Sequence, residues 1–272
     1  MIEVKDVHHS YGSSEVIKGV SLIIKESSIT ALVGPNGSGK TTLAKIIAGI
    51  IKPQKGKVFV DGLDTSTAKQ KEIIKKIGMV FQNPDYQLFS TSVLDEVAFA
   101  LRNLGYSDEE AKEKALRSLK AFNLLEYAEK PPLALSGGEK KRLTFSIVSA
   151  WDPKYIIFDE PTVGQDSLSL RVLSNVINGL VSEGKGVIIT SHDVEFLWSF
   201  NPYTFLIYEG KIVYEGYMKE MFYSLDDLEK YHLVEPQLSL ISKSLKLKDP
   251  ALRVEELIDE VKNVFSSKSF HF

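Results

Sequence analysis

The chain has 272 residues, 43% of them apolar, which is enough to bury one sizeable core together with a small subdomain. Its net charge of −3 gives no general attraction to a polyanion such as nucleic acid. The sequence contains no cysteine, which excludes disulfides and thiolate metal sites and fits a reducing compartment. It shows no secretion signal and no apolar run near the roughly twenty residues of a membrane helix. We therefore expect a soluble intracellular protein whose membrane role, if any, is peripheral.

The beginning of the chain favours short strands. Segments 2–4, 21–24 and 57–60 alternate or are apolar, and the last of them ends at the turn signal Asp61-Gly62. This pattern predicts a small antiparallel sheet. The apolar segment 29–33 is a further strand, and it leads directly into the first functional motif.

Residues 34–42 read GPNGSGKTT, a complete G-x-x-x-x-G-K-[ST] phosphate loop between the strand 29–33 and a helical run from Leu43 to Ile50. Glycines let backbone N–H groups curl around phosphate oxygens, and the helix points its positive end at the same anion. Lys40 would reach the β- and γ-phosphates, and Thr41 would offer its hydroxyl to Mg²⁺. A plain glycine-rich turn, the alternative, would need neither side chain. The predicted nucleotide-binding residues here are Gly34, Asn36, Gly37, Ser38, Gly39, Lys40, Thr41 and Thr42.

Helical spacing then extends from Ser92 to about Phe122, with a capping-box pattern at Ser107 and Glu110. Strand signals return at 155–158 and 187–190, with a helical period between them. The order strand, helix, strand indicates a parallel α/β core. We predict one α/β nucleotide-binding lobe interrupted by a helical insertion of roughly sixty residues.

The string LSGGE at 135–139 precedes a helical run from Lys140 to Ala150. Ser136 and Glu139 have capping-box spacing, so the simplest interpretation is a well-capped helix. Ser136, Gly137 and Gly138 would also present a hydroxyl and bare N–H groups at a helix start, which makes a second anion site. Two such chains could therefore sandwich nucleotide, each offering its second site to the γ-phosphate bound by its partner.

The apolar strand 155–158 ends in two adjacent carboxylates, Asp159 and Glu160. Successive residues of a strand point in opposite directions, so the two acids can take different roles. Asp159 would hold Mg²⁺, and Glu160 would polarise the water that attacks the γ-phosphate. The alternative is a buried strand with acidic residues at its solvated end.

These strings resemble, in order, the motifs of the ATP-binding cassette (ABC) family: the phosphate loop, the signature LSGGE and FDEP at 158–161. The resemblance covers residues 1 to about 217 and implies an ATPase that uses ATP and Mg²⁺. The implied fold is an α/β P-loop NTPase core with an antiparallel β subdomain, a helical subdomain at about 85–150 and a small C-terminal helical appendage at 218–272. The implied metal ligands are Thr41, Gln82 and Asp159.

The resemblance also implies roles for four single residues. Tyr11 would stack on adenine, Asp166 would link the two composite sites across the dimer, and His192 would contact the γ-phosphate. Gln82 would sense Mg²⁺ and the attacking water while touching the transport partner, so the implied catalytic set is Glu160, His192 and Gln82. Each has a plainer alternative: a packed aromatic, a helix N-cap, and polar residues at strand ends.

The run FQNPDYQLF at 81–89 is similar to the FQNP-x-x-Q-x-F segment of energy-coupling factor and cobalt-type importer ATPases, which take up vitamins and transition-metal ions. It implies a groove from Gln82 to Phe89 that receives the coupling helix of an integral membrane subunit. Leu88 and Phe89 would supply apolar surface, and Asp85 would pair with basic residues of that helix. A plain loop is the alternative. Residues 230–261 resemble the extra helical region that helps to pair these subunits.

The resemblance thus predicts a peripheral subunit at the cytoplasmic face of the cell membrane. It would pair as a homodimer or heterodimer, and a membrane substrate-binding subunit would be reached indirectly. The alternatives are a soluble cassette acting on nucleic acid or ribosomes, a non-hydrolysing regulatory cassette and a subunit of another transporter type. Three residues depart from the family pattern: Glu139 where glutamine is commoner, Gln165 where leucine is usual, and Trp151.

Overall fold

The computed structural model describes residues 1–225, 227–247 and 249–267, so residues 226, 248 and 268–272 of the predicted appendage lie outside the described residues. The strands are β1 Ile2–Tyr11, β2 Ser14–Ile24, β3 Ile29–Val33, β4 Lys55–Val60, β5 Leu63–Asp64, β6 Ile77–Val80, β7 Tyr155–Asp159, β8 Gly186–Ser191, β9 Tyr203–Tyr208 and β10 Lys211–Tyr217. The helices are α1 Lys40–Ile47, α2 Gln70–Ile74, α3 Val93–Asn103, α4 Asp108–Ala121, α5 Gly137–Ser149, α6 Ser167–Ser182, α7 Val194–Trp198, α8 Met218–Ser224, α9 Gln237–Ser244 and α10 Val254–Ser267.

The first sheet confirms the predicted antiparallel subdomain. Its strand order is β2-β1-β4-β5, and β1 pairs antiparallel with both β2 and β4. Alternating residues of β1, such as Ile2 and Val4, are fully buried or nearly so, and they pack toward α1 in one hydrophobic cluster. The sheet therefore covers one side of the helix that follows the phosphate loop.

The second sheet is mainly parallel, as the sequence predicts. Its order is β10-β9-β3-β8-β7-β6, with parallel pairing from β9 through to β6 and antiparallel pairing between β9 and β10. Strands that are covered on both faces are apolar along most of their length, and all of β7 and β8 is buried, including the polar residues at their carboxyl ends. The carboxyl ends of β3, β6, β7 and β8 therefore meet at one edge of the sheet.

The helical insertion has a hydrophobic core of its own, formed by α3, α4 and α5. The region of helical spacing from Ser92 to about Phe122 forms two helices in the structure, because α3 ends at Asn103 and Gly105 adopts a φ of +92°. The predicted capping box is present: Ser107 accepts from the N–H of Glu110, and the Glu110 carboxylate accepts from the N–H of Ser107.

Several helix bounds differ from the prediction, and the first helix already begins at Lys40. The first helix ends at Ile47 and not at Ile50, because Gly49 takes a φ of +70° and stops it. The signature helix begins at Gly137 and not at Lys140, because Ser136 caps it directly.

The C-terminal residues pack against the nucleotide-binding lobe. Met218, Met221 and Phe222 belong to the hydrophobic cluster that contains Trp198. The indole N–H of Trp198 donates to the carbonyl of Ala251 at 2.9 Å in a buried hydrogen bond. Within the described ranges, every helix is too short or too polar to cross a lipid bilayer.

Candidate nucleotide site

The predicted motifs other than the signature meet around one cleft at the carboxyl edge of the parallel sheet. The phosphate loop follows β3, Gln82 follows β6, Asp159 and Glu160 stand at the end of β7, and His192 follows β8. The cleft has a volume of about 250 Å³. It is lined by Val16, Asn36, Gly37, Gly39, Lys40, Thr41, Thr42, Gln82 and Glu160.

The glycines of the phosphate loop are required by its geometry. Gly39 caps α1 with a φ of +109°, where a side chain would be strained and where a Cβ would lie 2.7 Å from Ile17. A Cβ at Gly34 would lie 2.1 Å from the carbonyl oxygen of Ile207. The loop can therefore hold this tight curve only with glycine at both positions.

The start of α1 is built to receive an anion. Its first N–H groups lack partners within the helix, and its first turn contains no acidic residue to offset the positive end of the dipole. Ser38 is buried, and its Oγ has no hydrogen-bond partner among the described residues. A buried polar atom without a partner is costly, and phosphate oxygens would satisfy it. The loop thus fits the triphosphate of a nucleotide.

Lys40 lies inside the loop and is 5% exposed. Its Nζ donates to the carbonyl oxygens of Gly34 at 2.7 Å and Pro35 at 3.1 Å. It also lies 3.3 Å from Oε1 of Glu160. The ammonium group is therefore held at the cleft by the loop and by a buried carboxylate.

Asp159 and Glu160 point to different partners, as expected at a strand end. Asp159 accepts from the hydroxyl of Thr41 at 2.8 Å and from the hydroxyl of Thr190 at 2.6 Å. These contacts place a carboxylate beside the threonine hydroxyl at the base of the phosphate loop. A hydroxyl and a carboxylate are oxygen ligands of the kind that Mg²⁺ prefers.

Glu160 stands where the chain leaves the sheet. Its φ of +46° is in the left-handed region, which costs a residue with a side chain about 1–3 kcal/mol. Its N–H donates to the carbonyl of Thr190 at 3.0 Å and also lies 3.1 Å from the Thr190 hydroxyl. Its Oε2 lies 2.8 Å from Nδ1 of His192 and accepts from the His192 N–H at 3.3 Å. One buried carboxylate therefore joins Lys40 to His192.

The signature residues lie outside this cleft. Ser136 accepts from the N–H of Glu139 at 3.4 Å, and the Glu139 carboxylate accepts from the Ser136 N–H at 2.7 Å, so the capping box is present. Gly137 and Gly138 form the first turn of α5. Residues 135–139 are absent from the lining of the cleft that holds Lys40. The two predicted anion sites of one chain are thus separate.

Tyr11 and Asp166 also lie outside the lining of the cleft. Tyr11 is 52% exposed and packs edge-on against His9. Asp166 caps α6, accepting from the N–H of Ser169 at 2.8 Å. The hydrogen bonds from Ser169 hold the pKa of the Asp166 carboxyl below its usual range. The structure thus realises the N-cap that the sequence offers as an alternative for Asp166.

The groove predicted at 82–89 needs two corrections. Leu88 is only 5% exposed and belongs to the core of the helical insertion, so it offers no surface to a partner. Asp85 pairs with Lys140 of the same chain at 2.8 Å, so its carboxylate is already engaged. Tyr86 and Phe89 are 87% and 66% exposed, and Phe89 packs edge-on against Phe99. The available apolar surface is therefore aromatic.

Two residues of this region are missed by the sequence analysis. Thr190 is fully buried and contacts both Asp159 and Glu160, and its position at the end of an apolar strand is the signal that could have identified it. Lys141 is 2% exposed and donates to the backbone carbonyl of Gln82. Nothing local in the sequence marks Lys141 as buried, because its partner comes from a distant segment.

Comparison with known proteins agrees with this geometry. A Pyrococcus furiosus protein, provisionally named an ABC transporter ATP-binding protein, is 44% identical over 95% of this chain and 98% of its own length. The energy-coupling factor transporter ATP-binding protein EcfA of Methanocaldococcus jannaschii is 35% identical over 92% of this chain and 90% of its own.

Solved structures share the fold. The cbiO1 protein of Clostridium perfringens, part of the ABC transporter complex cbiONQ, is 30% identical with a TM-score of 0.73, covering 89% of this chain and 98% of that one. A dimeric ATP-binding cassette in a post-hydrolysis state with ADP and Pi is 29% identical with a TM-score of 0.69, covering 80% of this chain and 99% of that one. The ABC transporter family model matches residues 17–163. The chain therefore belongs to the ABC transporter family, as an ATP-binding subunit with ATPase activity.

Proposed function

We propose that this chain is the ATP-hydrolysing subunit of an energy-coupling factor type importer, which powers uptake of a vitamin or a transition-metal ion through a separate membrane subunit. The observation that carries the proposal is the exposed aromatic pair Tyr86 and Phe89, which follows Gln82 of the nucleotide cleft. The EcfA relative and the cbiO1 structure support this transporter type. In this role the chain lies at the cytoplasmic face of the membrane.

Mg²⁺ fits the oxygen atoms at the base of the phosphate loop. The Thr41 hydroxyl and the Asp159 carboxylate, 2.8 Å apart, would hold the ion together with Gln82, which lines the same cleft. Bound there, the ion would neutralise charge on the β- and γ-phosphates. Thr190 supports this role because its hydroxyl orients the Asp159 carboxylate.

Glu160 is positioned to act as the general base. Its carboxylate accepts a hydrogen bond from the backbone N–H of His192 and lies against Lys40, inside the cleft that would hold the γ-phosphate. A bound triphosphate would draw Lys40 toward its own oxygens, leaving Glu160 to take the proton of the attacking water. His192, whose side chain is 47% exposed, would orient Glu160 and contact the γ-phosphate.

Nucleotide would be enclosed between two chains. The cleft volume of about 250 Å³ is below the range of about 300–1,000 Å³ of complete small-molecule sites. The start of α5 at Ser136 supplies a second capped helix end, separate from that cleft. Each chain would cover the nucleotide of its partner with Ser136, Gly137 and Gly138, and the dimeric post-hydrolysis cassette supports this arrangement. Tyr11 would extend the site toward the adenine, and Asp166 would face the partner chain.

The aromatic pair would receive the membrane subunit. Tyr86 and Phe89 are large exposed side chains, the type enriched where a few residues carry most of the binding energy. Gln82 precedes them, so a helix that docks on the pair would move the segment that enters the nucleotide cleft. Closing and opening of the ATPase dimer would drive the membrane subunit through this contact.

Co-purification from membranes after Phe89→Ser tests the proposal. We expect the variant to lose its integral membrane partner while the basal ATPase rate of the isolated chain changes less than about twofold. Ile23→Ser, at an apolar residue that is 52% exposed in the other sheet, is the matched control and should keep the partner. Retention of the partner by Phe89→Ser, or normal vitamin and metal uptake after deletion of the gene, would contradict the proposal.

A further inference from the structure

Lys141 is buried in a way that lysine side chains seldom are. It is 2% exposed, near the start of α5, whereas lysine is almost never fully buried unless it is paired. Its Nζ donates to the carbonyl oxygen of Gln82 at 3.1 Å, the one hydrogen bond that this ammonium group makes within the described ranges. The buried ammonium group of Lys141 therefore has one hydrogen-bond acceptor in the described ranges, an uncharged backbone carbonyl on another segment.

The pKa of the Lys141 ammonium group lies below its ordinary value, because the effect of burial outweighs that of the nearby carboxylates. Burial lowers the pKa of its ammonium group, and the carboxylates of Asp159 and Glu160 act in the opposite direction. These are the two carboxylates of the nucleotide site. Lys141 thus extends from the signature helix toward the strand end that bears the acids and the segment that bears Gln82.

The backbone of Gln82 needs such an anchor. β6 is the edge strand of its sheet and ends at Val80, so no strand pairing continues to residue 82. A short 3₁₀ turn begins at Pro84, where the Asn83 side chain accepts from the N–H of Asp85. Gln82 therefore sits between two regular elements. A held carbonyl restricts the ψ angle of Gln82 and so steadies the backbone from which its side chain reaches the lining of the cleft.

Lys140 fastens the other end of the same segment. Its Nζ lies 2.8 Å from Oδ1 of Asp85, and Asp85 is more than half exposed. Consecutive lysines of α5 thus hold residues 82 and 85, one through a buried backbone contact and one through a solvated ion pair. A solvated pair is worth little, about 0–1 kcal/mol, so the buried contact is the one expected to fix the geometry.

We propose that Lys141 is a positioning residue whose ammonium group holds the carbonyl of Gln82 and so directs the Gln82 side chain into the nucleotide cleft. The inference rests on the role proposed above for Gln82 in hydrolysis. It also joins the two half-sites within one chain: the helix start that covers the partner's nucleotide and the glutamine that faces its own nucleotide are fastened together. A movement of the signature helix over the partner's nucleotide would then also move Gln82 at the chain's own nucleotide.

The test is the steady-state ATPase rate of Lys141→Met, which keeps the length of the side chain and removes the ammonium group. We expect kcat to fall roughly 10- to 100-fold, as for a small misplacement of a group near the reacting atoms. KM for ATP should change less than about threefold. Lys140→Met is the matched control, and its kcat should stay within about twofold of the wild type.

A double-mutant cycle separates positioning from general packing. If Lys141 acts through Gln82, then Lys141→Met causes no further loss of kcat in a Gln82→Ala background. An additive loss, or a wild-type kcat in Lys141→Met, overturns the inference. A normal kcat in Gln82→Ala alone instead refutes the proposed role of Gln82, so the two failures are distinguishable.

Thermal unfolding of each variant is the control measurement that shows whether the variant is folded. An apolar residue of similar size in place of a buried charge is often tolerated, so Lys141→Met is expected to fold. Lys141→Gln provides a second variant, because its amide keeps a donor for the Gln82 carbonyl. It should retain more activity than Lys141→Met, and a larger loss of kcat in Lys141→Gln at equal thermal stability would also contradict the inference.

Discussion

The ammonium nitrogen of Lys40 and Oε1 of Glu160 lie 3.3 Å apart in a pair whose side chains are both almost fully buried. Removing one member of such a pair leaves an uncompensated charge, whereas a triphosphate can replace Glu160 as the partner of Lys40. The contact would therefore couple nucleotide binding at the phosphate loop to the release of Glu160, the proposed general base.

Glu160→Gln should abolish turnover while ATP binding is retained. The amide cannot accept the proton of the attacking water, and general-base catalysis is typically worth about 10²–10⁴ in rate. The measurements are kcat and nucleotide affinity on the same preparation. A rate within about threefold of the wild type would remove Glu160 from the role of base.

Lys40→Met should weaken nucleotide binding itself. A hydrogen bond from a charged group contributes about 1.5–3 kcal/mol, which corresponds to roughly a 10- to 150-fold rise in Kd for ATP. Lys45→Met, in the last turn of the same helix, is the control and should leave Kd unchanged. Equal affinities in the two variants would contradict the assignment of Lys40.

Thr190→Val should reduce both stability and the response to Mg²⁺. The change removes the hydroxyl that donates to Asp159 and lies against the N–H of Glu160, so we expect about 1–3 kcal/mol of destabilisation. The Mg²⁺ concentration for half-maximal ATPase activity should rise as Asp159 loses its orientation. Thr204→Val is the matched control, because its buried hydroxyl donates to the carbonyl of Pro202 instead. It should lose stability without a change in the Mg²⁺ requirement.

The capping box of the signature helix predicts a specific pH dependence. Hydrogen bonds from the Ser136 hydroxyl and N–H hold the pKa of Glu139 below its ordinary value of 4.5. Since the folded-state pKa lies below that of the unfolded chain, the stabilisation is present above pH 4.5 and is lost as the pH falls through the folded-state value. Glu139→Gln should therefore flatten the fall in unfolding free energy below that pH, as measured by denaturant titrations. An unchanged slope would refute this.

The charge of Glu139 should also act across the ATPase dimer. It stands at the helix start that would face the partner's nucleotide, where a negative charge opposes phosphate. Glu139→Gln should therefore tighten ATP-dependent association, most clearly at low salt, as measured by analytical ultracentrifugation in a Glu160→Gln background. Glu110→Gln alters an equivalent capping box on α4, and the pKa of Glu110 is likewise lowered by Ser107. Glu110→Gln should flatten the fall in unfolding free energy at acid pH without changing the ATP-dependent association of the two chains.

The phosphate loop and the strand-end carboxylates could be predicted from sequence because their chemistry is local. The glycine at position 39 and the separate partners of Asp159 and Glu160 follow from adjacent residues. The parallel sheet follows in the same way from strands separated by helices. The cleft forms because the carboxyl ends of the parallel strands, which bear these residues, meet at one edge of that sheet.

Other features depend on partners that are distant in the chain. The sequence predicts that the Asp85 carboxylate is available to a partner protein, but it forms an ion pair with Lys140 of the same chain. Leu88 is buried in the core of the helical insertion. The hairpin of β9 and β10 is also missed. Its turn, Glu209-Gly210, has positive φ at both residues, but glutamate-glycine is a weaker hairpin signal than asparagine-glycine or aspartate-glycine.

The indole of Trp198 has a practical consequence for designing shortened proteins. Its N–H is satisfied by Ala251, and Met218 and Met221 fill the same interior. Cutting the chain after Tyr217 would remove these side chains and the carbonyl of Ala251, and the indole at the end of α7, the helix that follows His192, would lose its hydrogen-bond partner. Whether the tail assists subunit pairing is therefore better asked with single surface replacements, for example at the exposed Leu240 and Ile241, than by deletion.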